Sequence, residues 1–320
     1  MKRTSRKILW ITDPWNTLDH ANDTTLRLIE ESIRAGHKNF WCDVKSIRIE
    51  RGEVKLTAFQ VLNLGGSRRA DEIELSQPKS FGPEKFSHIC YRTDPPVDHA
   101  YLLPLQILDL KLRTLKKVKM VNSIYTLFSA NEKMEGLALL KLFPSGVVSS
   151  EREHLLRFLQ IEKKVILKPL YQAQSKGVKL LDSTRQSNTE LEALLRQETQ
   201  NFKTPIMLQK FLPGIHQGEQ RLWYVRGQLI GVARKQPKSG EAIIDMDQGG
   251  SLVTTKLNAK EAKASKQIGA YLKKQKIDWA AVDLIDGFVT DFNFTSPGLI
   301  PLMEKVTGQN LAKKIVNVFK

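Results

Sequence analysis

The stretch VDLIDGFVTDFNFTSP, residues 282–297, holds two apolar runs joined at Asp286-Gly287, with Asp283, Asp291 and Asn293 set among them. Asp-Gly between apolar runs is a strong hairpin signal. Oxygen-bearing side chains in such strands are costly to desolvate, so they need partners. Asp291 and Asn293 lie two apart and share a face whatever the loop geometry. Asp283 is conditional. A strict two-residue turn pairs it with Thr290 and turns it to the opposite face. A three-residue loop, or a bulge at Gly287, sets it across from Asp291. In that second arrangement three hard oxygen donors converge, as Mg2+ held with nucleotide phosphates requires. In the first they make a wetted sheet face.

Working outward, 320 residues, 41% of them hydrophobic and 26% charged, suffice for two or three domains with a substantial core. Cys42 and Cys90 cannot build a disulfide framework, which fits a reducing, cytoplasmic setting. The opening MKRTSRKILWITDPW is basic, but its apolar run stops after ILWI, too short for a signal peptide. No run elsewhere approaches a membrane span. The net charge of +16 crowds into KLRTLKKVK (111–119) and KLNAKEAKASKQIGAYLKKQK (256–276). Neither zinc-finger spacing nor an RNA-recognition aromatic motif accompanies it. These runs therefore read as solvated lysine-rich helix faces rather than a nucleic-acid surface.

Along the first part of the chain strands alternate with helices. KILWIT reads as a strand, followed by a helix capped by Asp23 or Thr24, with Leu26, Ile29 and Ile33 on one face and Gly36 at its end. Strands follow at NFWCDV, VKLTAFQVL and HICYR. A helix through YLLPLQILDLKLRTL is expected to start near Pro104, because an interior proline is disfavoured. KMVNS completes a small α/β domain over residues 1–122, with at least part of its sheet parallel. Beyond it the rhythm becomes α+β. A short helix at NEKMEGLALLKLF precedes GVVSS, EREHLLRFLQIE, KVILKPL, GVKLLD and TELEALLRQE. Then come strand PIMLQKFL, a hairpin of QRLWYV and QLIGVARKQ about Arg226-Gly227, and a lysine-rich helix over 259–274. Two lobes are expected, 123–203 and 204–320.

The chain has no G-x-x-x-x-G-K-[ST] or G-x-G-x-x-G loop, no H-E-x-x-H and no C-x-x-C. What remains is lysines and carboxylates. Lys168, in the apolar strand VILKPL, must snorkel to solvent or meet an anion. Lys133, in NEK, sits at an expected helix start where amides favour an anion. Two such lysines from separate elements can clamp phosphates.

RTDPP (92–96), NEK (131–133), ILKPL (166–170), QKFLPG (209–214) and DFNFTSP (291–297) occur in the order and spacing of prokaryotic glutathione synthetases, and TDP (12–14) and ANDTT (21–25) fit the start of that family. The chain resembles this ATP-grasp family over nearly its whole length. The resemblance implies a substrate-binding α/β domain followed by a two-lobed ATP-grasp fold. It implies an ATP-dependent carboxylate–amine ligase that joins a γ-glutamylcysteine-like peptide to glycine or another amine through an acylphosphate. ATP and Mg2+, or Mn2+ in its place, are the implied cofactors. The family commonly forms dimers or tetramers, so a homo-oligomer is a further expectation.

Residue by residue, the resemblance makes Lys133 and Lys168 phosphate contacts. Gln209, Lys210, Phe211 and Leu212 match the strand whose backbone reads adenine, and Glu219 the acid that binds ribose. Asp283, Asp291 and Asn293 match the metal ligands, which selects the bulged hairpin. Arg92 matches an arginine of the substrate pocket. Arg221 and Arg234 match basic residues facing phosphate or acyl group, and Thr295, Ser296 and Pro297 a loop along the peptide.

The chain departs from the family pattern at several places. After KPL the family has an acidic residue and a glycine-rich run; here YQAQSKGV (171–178) offers only Gly177, and Lys176 is expected to replace amide donors with a point charge. In SGEAIIDMDQGG (239–250), Ile243, Ile244 and Asp245 stand where arginine-glycine-asparagine is usual. Asp291 replaces a glutamate, and Pro301 an arginine. These departures fit an altered substrate, or a nucleotide-binding protein with weakened catalysis.

Overall fold

The computed structural model describes residues 5–64, 72–246 and 248–319. Its N-terminal layer is built on Lys7–Thr12, which runs parallel to both Lys38–Asp43 and His88–Tyr91; the last is parallel to Lys119–Val121. Glu53–Asn63 adds antiparallel to Lys38–Asp43 and carries three short edge strands. Lys7–Thr12 is buried on both faces, as a central strand in a covered sheet must be. One face packs Leu9, Ile11 and Tyr91 under the helix His99–Leu112. The other packs Ile8 and Trp10 against the helix Thr24–Arg34 and the C-terminal end of the chain. There Trp10 stacks on Trp279 at 6.2 Å and meets Phe319 edge-on at 5.7 Å.

Asp23 is the cap of Thr24–Arg34, accepting from the Leu26 amide at 2.8 Å. The next helix corrects the expected start. It begins at His99, because the Asp98 carboxylate accepts from the Tyr101 amide at 3.0 Å and fixes the first turn. Pro104 lies inside it, forgoing the bond to Ala100 while Tyr101, Leu105 and Leu108 bury beneath. The NEKMEGLALLKLF segment is also altered: Glu135–Leu142 is a 3-10 helix, interrupted at Leu139.

Residues 146–210 form a four-stranded antiparallel sheet, with Lys164–Pro169 and Ile206–Lys210 at its centre. Ile206–Lys210 pairs here, with Lys164–Pro169 on one side and Gly146–Ser149 on the other. The helices Arg152–Glu162 and Asn188–Glu198 cover its outer face through Leu155, Leu159, Leu191 and Leu195. The last lobe is a five-stranded antiparallel sheet, in which Glu219–Val225 lies between Gln228–Gln236 and Trp279–Ile285. The helix Ala259–Lys274 buries Ala264, Ile268 and Leu272 against it. Its exposed lysines lie on the outer side. Among the described residues, no helix is long and apolar enough to cross a membrane.

Asn122 fastens the N-terminal domain to the last lobe. Its Nδ2 donates to the Trp279 and Phe294 carbonyls, each at 2.7 Å, and its Oδ1 accepts from the Trp279 amide at 2.7 Å. Asn122→Ala strands these buried groups and should cost about 2–4 kcal/mol in chemical denaturation. A loss under about 0.5 kcal/mol would show that water replaces the side chain at no cost.

Candidate active site

A cleft with about 710 Å³ of empty space, its open mouth included, lies between the two antiparallel sheets. That size suits a cofactor-scale ligand. Part of its lining is an apolar cluster of Ile215, Ile244 and Ile285 with Phe211 and Leu212. The lining also carries the charged residues Lys133, Lys168, Lys210, Lys235, Glu219, Asp283 and Asp291.

Two bulges decide which side chains reach it. In the hairpin of Trp279–Ile285 and Phe288–Asn293, Asp286 and Gly287 form a two-residue turn with φ of 52° and 78°, as a type I′ turn requires. Leu284 pairs with Val289, yet Asp283 pairs with Asp291, leaving Thr290 as the extra residue. The bulge is therefore at Thr290, not at Gly287. It brings Asp283 and Asp291 onto one face and frees the Thr290 carbonyl to accept from Lys168 Nζ at 2.7 Å. The Thr290 hydroxyl donates to Glu219.

The second bulge lies at Ile230. Tyr224 pairs with Leu229, but Trp223 pairs with Gly231, and the shift persists to Glu219 opposite Lys235. A strict hairpin would set Arg234 opposite Glu219. Instead Arg234 pairs with Gln220, whose side chain turns toward Glu261 of the covering helix. The expectation for Arg234 is thus corrected: Lys235 takes its place in the cleft. The charged pair Arg234-Lys235 was visible in the sequence, but the bulge that chooses between them was not.

The carboxylates are already engaged. Arg221 donates to both Asp283 oxygens, at 2.6 and 2.7 Å, and Lys235 Nζ reaches the same carboxylate at 2.9 Å and Glu219 at 2.6 Å. Burial by itself would raise the Asp283 carboxyl, but Arg221 and Lys235 outweigh it and hold it down at about 2. Lys133 bonds Asp291 Oδ2 at 2.5 Å; burial pulls its ammonium down, and Asp291 more than restores it. Among the described residues Lys168 has no carboxylate within bonding distance, and burial lowers it. With Arg221, and setting aside Lys210, which pairs with Glu162, four cations face three carboxylates, which leaves the cleft net positive for an anion.

Two buried polar atoms of residues that line the cleft have no hydrogen-bond partner among the described residues: Gln209 Nε2 and Asp291 Oδ1. They suit a ligand with an acceptor and a hard cation respectively. Asn293 Nδ2 turns toward Ala281 O and Asp283 Oδ2, each at 3.4 Å. Of the three expected metal ligands, then, Asp291 and Asn293 fit a cation, whereas both Asp283 oxygens are engaged by protein donors. Among the described residues no three Asp, Glu, His or Cys side chains gather as a metal site. In the strand running into QKFLPG, Lys210 turns its side chain to Glu162 at 3.0 Å and the Phe211 amide donates to Lys164 O. Lys210, Phe211 and Leu212 all line the cleft beside Gln209.

The segment 171–178 is folded over this site. Ser175 Oγ donates to Ile244 O at 2.8 Å, Gln174 Nε2 to Asp94 at 3.2 Å, and the Val97 amide to Tyr171 O at 3.0 Å. Gln174 and Ser175 hold φ of 55° and 58°, beside Gly177 at 72°. The chain thus keeps left-handed backbone without glycine, at a cost of roughly 1–2 kcal/mol per residue. Lys176 is exposed and outside the lining, whereas Ser175 and Val178 are in it, so the expected point charge is absent. Ile243 and Ile244 line the cleft, and Asp247 lies outside the described residues.

Arg92 is buried in the N-terminal domain, its Nε on Thr25 Oγ1 at 3.2 Å and its Nη2 on Pro297 O at 3.0 Å, while Nη1 has no partner. Ser296 Oγ donates to Arg92 O at 3.3 Å, so Arg92, Ser296 and Pro297 do meet. Thr295 turns instead to Glu132, whose Oε1 accepts from the Phe294 and Thr295 amides and the Thr295 hydroxyl at 2.7–2.8 Å. This buried latch in NEK went unnoticed in the sequence. It holds Lys133 against the hairpin that carries Asp291.

The family model described as the prokaryotic glutathione synthetase ATP-grasp domain matches residues 132–308, and that for the N-terminal domain of the same family matches residues 7–127. A glutathione synthetase of Synechocystis sp. is 29% identical over 317 residues, 97% of this chain and 98% of that one. One from Prochlorococcus marinus is 28% identical over 308 residues, 96% of each. Among solved structures, the D-cycloserine synthetase DcsG aligns with a TM-score of 0.67 at 13% identity over 98% of both chains. The macrocyclase MdnC of Microcystis aeruginosa aligns at 0.64 with 17% identity, also over 98% of both. These two likenesses speak for the fold.

Proposed function

The chain belongs to the prokaryotic glutathione synthetase family, and from that premise we propose that this ATP-dependent carboxylate–amine ligase joins a γ-glutamylcysteine-like dipeptide to glycine, with Mg2+ as its divalent ion. One observation carries the reading: Lys133, Lys168 and Asp291, from three separate elements, meet in a single net-cationic cleft that also holds the unpartnered Gln209 donor.

In this reading Lys133 and Lys168 hold the phosphates, and Gln209 with the backbone of 210–212 the adenine. A divalent cation, when bound through Asp291 and Asn293, supplies charge neutralisation at the phosphates. The terminal phosphoryl group moves to a carboxylate oxygen of the peptide, giving an acylphosphate and ADP. The amine nitrogen then attacks the acyl carbon, phosphate leaves with the bonding electrons, and the amine gives up a proton. Arg92 is placed to receive the peptide, beside Ser296 and Pro297. The folded segment 171–178 keeps water from the acylphosphate.

ADP release measured with γ-glutamylcysteine and glycine, against other dipeptides and amines, tests this. The expected product is the tripeptide, identified by mass. ADP formed only with a different pair would replace the substrates named here, and none with any pair would end the ligase reading.

A further inference from the structure

We propose that Lys235 is a built-in counter-cation, so that Asp283 serves the protein's own cations and the divalent ion is carried by Asp291 and Asn293. The proposal rests on the nucleotide reading above and concerns how this particular cleft receives metal. Lys235 is 8% exposed and bridges Glu219 at 2.6 Å and Asp283 at 2.9 Å. Asp283 Oδ1 accepts from Arg221 Nε, and Oδ2 accepts from Arg221 Nη2, Lys235 and Asn293. A cation arriving at Asp283 would have to push a buried ammonium out from between Asp283 and Glu219, leaving it uncompensated. Asp291 Oδ1 is buried and has no hydrogen-bond partner among the described residues. Asn293 turns its amide nitrogen to Asp283, which leaves its oxygen as the atom a cation takes. The Ile230 bulge is what installs Lys235 there.

Mn2+ is the probe, its binding followed by the loss of the free-ion electron paramagnetic resonance signal in the presence of ADP. Thermal denaturation of every variant checks that it is folded. Asp291→Asn should weaken Mn2+ by about tenfold or more, and Asp283→Asn by less than about threefold. Lys235→Met leaves the Arg221–Asp283 pair intact and releases Glu219 and an Asp283 oxygen, so it should tighten Mn2+ or add a second bound ion. Equal losses in folded Asp283→Asn and Asp291→Asn would overturn the proposal, and so would weaker Mn2+ binding in Lys235→Met. The last variant decides the matter even where Asp283→Asn does not fold. Failure of the unaltered protein to bind Mn2+ with ADP overturns the nucleotide reading itself, and this proposal with it. Binding that depends on Asp283 overturns this proposal alone.

Discussion

Lys168→Met should lower kcat for ligation by about 10²–10³-fold without lowering the melting temperature. Lys168 is buried beside the Thr290 carbonyl and lacks a bonded carboxylate, and burial depresses its ammonium. The folded protein therefore gains little from the charge when the cleft holds no anion. Phosphoryl transfer gains much, because it depends on fixed cations where negative charge accumulates and water is excluded. Methionine keeps the apolar stem and removes the charge together with its single bond to Thr290 O. Lys168→Arg should not restore the rate, since a planar fork does not fit a slot built for a single ammonium beneath Thr290. A loss below about tenfold in steady-state kinetics would mean that Lys133 alone supplies the charge.

Asp283→Ala should have the opposite signature, a loss of folding. It leaves Arg221 and Lys235 buried without the carboxylate that both contact. Breaking such a pair from one side costs about 3–5 kcal/mol, on the order of a 10 °C fall in Tm. The sign of the pH dependence follows from the depressed carboxyl, at about 2 against an ordinary 3.8. A lowered folded-state value gives stability that is complete above the unfolded-state value and is lost as the pH falls through the folded one. The stability gap between the native chain and Asp283→Asn should therefore be constant above about pH 5 and close as the pH drops from 3.8 toward 2. Urea midpoints across that range measure it. A gap that stayed constant to pH 2 would show that Asp283 titrates in the fold as it does in the unfolded chain, with no depression by Arg221 and Lys235.

Much of the architecture was legible because its signals are local. Asp23 as a cap, the Arg226-Gly227 and Asp286-Gly287 turns, and the bounds of the lysine-rich helix all depend on residues within a turn of one another. The start of the helix at His99 was missed because burial of Tyr101, Leu105 and Leu108 outweighs the bond that Pro104 forgoes. The sheet that Ile206–Lys210 joins was not legible, because its partners come from residues 146–149 and 164–169.

The sequence by itself determined the residue types of the cleft, the order of its elements and the common face of Asp291 and Asn293, since a strand's alternation needs no knowledge of the rest of the chain. Only the tertiary structure decided that Asp283 stands opposite Asp291, that Lys235 rather than Arg234 enters the cleft, and that Lys176 stays outside it. One unpaired residue reverses every side chain beyond it. Where that residue falls is settled by partners far along the chain, here Lys168 and Glu219 drawing out Thr290, with nothing in the local sequence to mark it.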